Sequence, residues 1–264
     1  MFRILREFLG AGRGALSPDQ RLRASASRLL ELKNAHRGRC GFVIGNGPSL
    51  RITDLDRLTG QVTIASNKVF LAFDRTAWRP TYFTVVDDLI WSNSAAELHH
   101  HVTEVFVPSY LKMPEDVRVP VQVMRTLGNA ADTPDGNDIP FSPHAESGVF
   151  GGYTVTYENL QLAVHLGLDP IYLIGCDHFY SGSVGEEGAS PVASDRPNHF
   201  LPNYTSKGEL MNPALVSKMT RSYQWARRYA DASGVRILNA TRGGHLEVFP
   251  RVDLDEVIAA LNTR

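Results

Sequence analysis

The sequence predicts an α/β domain: a mostly parallel sheet with helices on both faces. Three observations carry that expectation. Runs such as Gly41-Phe42-Val43-Ile44 and Ile171-Tyr172-Leu173-Ile174-Gly175 are apolar without alternation, as strands buried on both faces are. Segments with helical apolar spacing alternate with them, chiefly residues 153–166 and 213–233. The first run also stops abruptly at Gly45-Asn46-Gly47-Pro48-Ser49, the pattern of a strand that ends in a tight turn before a helix. A length of 264 residues suits one large domain with an appendage.

In chain order, Ser17-Pro18-Asp19 is a start signal for a helix over 19–36, with apolar Leu22, Leu29, Leu30 and Leu32 and a basic surface. Strands follow at 41–44, at 62–65 before Ser66-Asn67-Lys68, at 81–86 before Asp87-Asp88, and at 102–107. A strand at 121–124 is entered through Pro120, which places it near a sheet edge. Residues 126–146 are rich in Asp, Pro, Gly and Asn and read as a long polar loop, the kind that serves as a lid or binding loop or is disordered. A helix over 153–166 stops at Gly167, and the buried strand at 171–175 follows. Residues 181–209 are a second polar stretch. A helix over 213–233 stops at Gly234, before a strand at 235–238 and a closing helix at 253–261. The division is a basic helical extension over 1–38 and a catalytic domain over 39–264.

Composition narrows the function classes. A net charge of −1 argues against a dedicated nucleic-acid binder. Residues 1–40 hold nine Arg or Lys against three Asp or Glu, a surplus of six, which leaves −7 for the rest. Two cysteines, Cys40 and Cys176, are too few for a disulfide framework and read as buried free thiols in a reducing cytosol. No apolar run reaches 18 residues. Residues 1–13 suit either a short amphipathic anchor, with Phe2, Leu5 and Leu9 on one face, or a packing helix. The expected location is cytoplasmic, with the inner face of the membrane compatible with that segment; so is a homo-oligomer.

Ligands of open α/β sheets sit beyond the carboxyl ends of the strands, so candidate residues are read from those ends. Gly45 and Gly47 suit a turn that another molecule approaches closely, Pro48 a first helical position, and Ser49 a contact to backbone or phosphate. A plain structural turn is the alternative. The third glycine of the dinucleotide fingerprint is absent, and no Gly-Lys-Ser/Thr follows, so neither that motif nor a P-loop is present. Asp87 and Asp88 suit either Mg²⁺ held against phosphates or a helix cap and a solvated acid. Asp177 suits a ligand hydroxyl or a turn cap. His178 and His199 are the candidate bases, His199 lying in a long loop five residues before Tyr204. Ser147-Gly148 precedes the helix at 153, where backbone donors would meet an anion. Arg242-Gly243-Gly244 suits a cation for a phosphate, or a turn. His99-His100-His101 lacks partners at metal-ligand spacing and reads as the end of a solvated helix. No Gly-x-Ser-x-Gly elbow appears.

Taken together, Gly45-Asn46-Gly47-Pro48-Ser49, Ser66-Asn67-Lys68, Ser147-Gly148-Val149-Phe150 and the block from Ile171 to Cys176-Asp177-His178-Phe179-Tyr180 resemble, in order, bacterial family-42 sialyltransferases. The chain resembles more continuously, over roughly 40–255 and through Asn239-Ala240-Thr241-Arg242-Gly243-Gly244, the MptE-like family named after a 6-hydroxymethylpterin diphosphokinase. The first resemblance implies a metal-independent inverting glycosyltransferase on a Rossmann-like fold with a CMP-linked sugar-acid donor. Asn46, Ser49 and Asn67 would contact the nucleotide, Ser147 would lie near the cytidine, Tyr180 would hydrogen-bond the leaving phosphate and His199 would deprotonate the acceptor. The full expected nucleotide set is Gly45, Asn46, Gly47, Ser49, Asn67, Lys68, Ser147, Gly148 and Asp177, with His178, Tyr204 and Arg242 at phosphate or acceptor. No tightly bound cofactor is expected; the partners are a nucleotide sugar and a glycan acceptor in surface glycan synthesis. The second resemblance implies an ATP- and Mg²⁺-dependent diphosphokinase, with Asp87 or Asp88 on the metal. A non-catalytic nucleotide-binding protein of a glycan assembly locus is the third expectation.

Overall fold

The computed structural model describes residues 16–180, 198–204 and 212–262; the expected N-terminal segment 1–13 and most of the 181–209 stretch lie outside these. In chain order the elements are α1 (Pro18–Leu32), β1 (Gly41–Ile44), α2 (Ile52–Arg57), β2 (Val62–Ser66), β3 (Tyr82–Thr84), α3 (Asp88–Ser94), β4 (Val105–Pro108), β5 (Val121–Met124), β6 (Thr126–Asn129), β7 (Val149–Gly151), α4 (Val155–His165), β8 (Ile171–Ile174), α5 (Val216–Ser233), β9 (Ile237–Asn239) and α6 (Leu254–Asn262). Short 3₁₀ turns at Asn67–Ala72, Leu98–His100 and Ala130–Asp132 join them.

Seven strands form one sheet in the order β5-β4-β3-β2-β1-β8-β9, every pairing parallel. Gly41 lies opposite Val62 on one side and Ile171 on the other. The chain steps outward from β1 to β5, then returns to lay β8 on the far side of β1. The expected Rossmann-like α/β arrangement is therefore present, and β5 is indeed an edge. The point where strand order reverses lies between β1 and β8, and the crevice there opens at their carboxyl ends.

Side chains alternate across the strands and build two cores. Phe42 and Ile44 point to the face covered by α2, α3 and α6, among Leu55, Trp91 and Ile258. Val43 points to the other face, among Leu29 of α1, Leu160 of α4 and Met219 of α5. Full burial of each such side chain contributes about 1.5–3 kcal/mol. Helix α1 begins with a capping box between Ser17 and Gln20, then covers the β5 edge, where Ser25 Oγ accepts from the Val123 N–H at 2.8 Å.

Three expectations change. The presumed loop at 126–146 contains β6, which pairs in parallel with β7, and it buries Ala130, Phe141 and Ala145. The fully buried Gln161 side chain holds this layer by accepting from the Ser142 and Phe150 N–H groups and donating to the Phe150 carbonyl. A staple that distant in sequence leaves no local signature in a polar segment. The histidine run ends a 3₁₀ turn, and His101 stacks on Phe70 at 5.0 Å between ring centres rather than standing in solvent. Cys176 is buried as expected, but Cys40 is only half-buried. Among the described residues no helix is long and apolar enough to cross a membrane.

Candidate functional site

A cavity of about 690 Å³ opens at the β1–β8 switch point, within the range of small-molecule sites. Gly45, Asn46, Gly47 and Asn67 reach it from β1 and β2, and Asp87 and Asp88 from β3. Asp177, His178 and Tyr180 line it after β8, and His199 and Tyr204 from the segment beyond. Five expected residues lie away from it. Ser49, Lys68, Ser147, Gly148 and Arg242 do not line the cavity.

The Gly45–Ser49 turn explains part of this. Gly45 N donates to the Ile174 carbonyl at 2.8 Å, and Gly47 N to the Gly175 carbonyl at 2.9 Å. Ser49 donates through its backbone N–H and its hydroxyl to the Asp177 carboxylate, the hydroxyl at 2.8 Å. A Cβ on Gly47 would lie 2.0 Å from Asp177 Oδ2. The molecule that approaches these glycines closely is thus the β8 loop of the same chain. Asp177 is the cap in this arrangement, although burial raises its pKa and it still lines the cavity. Pro48 sits in a turn and α2 starts only at Ile52, so the turn does not lead directly into a helix.

Arg242 pairs with the buried Asp54 and with Asp255 on the outer face, which accounts for it structurally. Ser147 and Gly148 donate to the His144 carbonyl and precede β7, not α4; the turn that opens α4 is Gly151-Gly152-Tyr153-Thr154. Lys68 is buried behind the wall, its ammonium donating to the Tyr204 carbonyl at 3.0 Å. Asp87 caps α3 through the Ile90 N–H. The Asn212 amide bridges Asp87 and Asp88 at 3.1 and 2.9 Å. No group of three or more metal-ligating side chains stands among the described residues. Two carboxylates at a cavity rim nonetheless fit Mg²⁺ that takes its remaining ligands from phosphate and water.

Several groups on the cavity side are held at one end and unsatisfied at the other. Asn46 donates its amide N–H to the Ser66 carbonyl at 3.1 Å, and the Asn67 amide meets the Tyr204 hydroxyl. The Oδ1 of each is buried without a partner among the described residues. Asn67 also holds a left-handed backbone, φ 56°, which asparagine tolerates better than most residues. The His199 ring stacks on Tyr204 at 3.7 Å and hydrogen-bonds the Asn46 backbone; burial lowers its pKa to about 4. Burial likewise lowers His178 to about 4. Tyr180 is held as the neutral phenol by desolvation, and the buried Cys176 thiol is pushed up to about 12 and kept inert.

Glu158 is the principal residue that sequence reasoning missed. It lies in the first turn of α4, lines the cavity, is 3% exposed, and its pKa is raised by burial to about 8. The missed signal was a helix with Glu158, Asn159 and Gln161 around a single Leu160, where ordinary amphipathicity assigns such residues to solvent. Here all three are buried, Asn159 accepting from the Thr84 hydroxyl on β3 and Gln161 holding the β6–β7 layer. Tyr110, Tyr153 and Asn212 were missed as well; all three line the cavity. Together the described lining residues include four acids and no Lys or Arg. No family model matches the chain, and no curated protein and no solved structure matches it.

Proposed function

We propose that the protein is a nucleotide-dependent transferase, an inverting glycosyltransferase that takes a nucleotide-sugar donor and serves surface glycan synthesis. The observation that carries this reading is the convergence of half-satisfied polar groups on one cavity at the topological switch point. A nucleotide with its sugar is rich in the hydroxyl and amino donors that Asn46 and Asn67 would accept. The motif resemblance to family-42 sialyltransferases supports the same reading. In the proposed step the acceptor oxygen attacks the anomeric carbon, the bond from that carbon to the phosphate oxygen breaks, and the acceptor proton passes to His199. At neutral pH His199 is unprotonated, as a base must be, and the Tyr180 hydroxyl is a donor for the charge that develops on the leaving phosphate.

One observation favours the diphosphokinase reading. With no Lys or Arg among the described lining residues, a triphosphate would need its charge neutralised by a cation, and Asp87 and Asp88 are placed to hold Mg²⁺.

A thermal-shift panel of CMP, CDP, UDP, GDP, ADP and ATP, each with and without Mg²⁺, separates the two. Specific binding raises the melting temperature by an amount that grows with the logarithm of ligand excess over its Kd. Metal-independent stabilisation by CMP, with transfer abolished but binding retained in His199→Ala, is the expected result. Stabilisation by ATP only with Mg²⁺ moves the assignment to the diphosphokinase, and no stabilisation by any nucleotide overturns both.

A further inference from the structure

The half of the cavity beside α4 carries polar groups that no step above uses. His178 Nε2 lies 2.7 Å from Thr220 Oγ1, and that hydroxyl gives its single proton to the Val216 carbonyl at 2.9 Å. Thr220 can therefore only accept from the ring, which fixes the proton on Nε2 and leaves Nδ1 as an acceptor. Nδ1 is buried and has no partner among the described residues.

Glu158 presents the second such group. Its Oε2 is buried without a hydrogen-bond partner among the described residues. It lies in the first turn of the helix that Thr154 caps. The Thr154 hydroxyl lies 3.2 Å from that of Tyr223, whose ring meets the His178 ring edge-on at 5.4 Å. Thr154, Tyr223 and His178 thus form one connected wall, and Glu158, in the helix that Thr154 caps, lines the same cavity.

A buried acceptor without a partner costs stability unless a ligand satisfies it. A wall that offers a neutral carboxyl group and an imidazole acceptor, with no Lys or Arg among the described lining residues, gives a phosphate or carboxylate nothing to balance its charge and suits hydroxyl groups, which both donate and accept. We infer that this wall is the sugar subsite, that it takes a neutral, hydroxyl-rich sugar rather than a sugar acid, and that Glu158 is its specificity-determining residue. The inference rests on the nucleotide-sugar reading and narrows it.

Calorimetric titration of the full chain tests it with CMP, UDP and GDP and with CMP-N-acetylneuraminic acid, UDP-glucose and GDP-mannose. A neutral sugar should add affinity over its bare nucleotide in the wild type. Glu158→Leu should remove that gain, about tenfold or more, while the bare nucleotide binds as before. Glu158→Gln keeps a donor and an acceptor of the same shape and should retain part of the gain, which separates lost recognition from misfolding. Bare nucleotide binding with a sugar gain that survives Glu158→Leu, or with a gain only for the sugar acid, overturns the inference and leaves the nucleotide reading intact. Failure of every bare nucleotide to bind overturns both.

Discussion

Two glycine-bearing turns reach the cavity, Gly45–Ser49 after β1 and Gly151–Thr154 before α4, and their polar groups face different ways. In the first, the N–H groups of Gly45, Gly47 and Ser49 and the Ser49 hydroxyl are all satisfied by the β8 side of the crevice. In the second, the chain passes through Tyr153 in a left-handed conformation, φ 57°, an unfavourable state for a bulky residue, and delivers Glu158 unpartnered to the cavity wall. The motif visible in the sequence serves mainly to join β1 to β8, leaving Asn46 to face the cavity. The turn with no recognised motif carries the group whose burial is unexplained without a ligand. Glycine spacing alone does not separate these roles. The identity of the atom that satisfies each donor does.

Substitutions at the two turns should therefore behave differently. The largest expected effect is at Glu158. Its carboxyl has the ordinary value near 4.5 in the unfolded chain, and burial pushes it up to about 8 in the folded one, so the folded state holds a proton that the unfolded state releases between these values. Glu158 thus costs stability that is absent below pH 4.5, grows as pH rises, and levels off above pH 8. Glu158→Gln should gain roughly 4 kcal/mol over wild type at pH 8 and little at pH 4.5, read by urea denaturation at both values. An equal effect at the two pH values would show that Glu158 is paired or hydrated rather than buried alone.

Arg242→Ala comes next. It leaves Asp54, 1% exposed, without its guanidinium, and should cost about 3 kcal/mol in the same assay. Nucleotide affinity should not change, since Arg242 lies outside the cavity. A loss of affinity with full stability would restore the phosphate role that its position after β9 suggested. The smallest effect belongs to Ser49→Ala, which removes one hydrogen bond to Asp177 and should cost about 1 kcal/mol of stability, again with binding intact.

The sheet was legible because strands covered on both faces must be apolar throughout, and those at 41–44 and 171–174 stand where the apolar runs do. The carboxyl-end rule then brought Asn46, Asn67, Asp177, His178 and Tyr180 to one cavity, which His199, chosen for its place in a long loop, also lines. What stayed hidden depends on contacts distant in sequence. Nothing near Ser49 announces Asp177, and nothing near Arg242 announces Asp54. Glu158 reads as a surface residue until the fold buries it in the helix whose Gln161 holds the β6–β7 layer.

The central claim is that the unsatisfied side of the crevice, and not the glycine turn's own donors, receives the nucleotide. Calorimetric titration of CMP against wild type, Asn46→Ala and Ser49→Ala compares two neighbours in that turn directly. Asn46→Ala should weaken binding by about tenfold or more, because Asn46 lines the cavity and its Oδ1 has no partner among the described residues, and Ser49→Ala should leave the Kd within about twofold. The reverse order, with Ser49 required and Asn46 dispensable, would contradict the account.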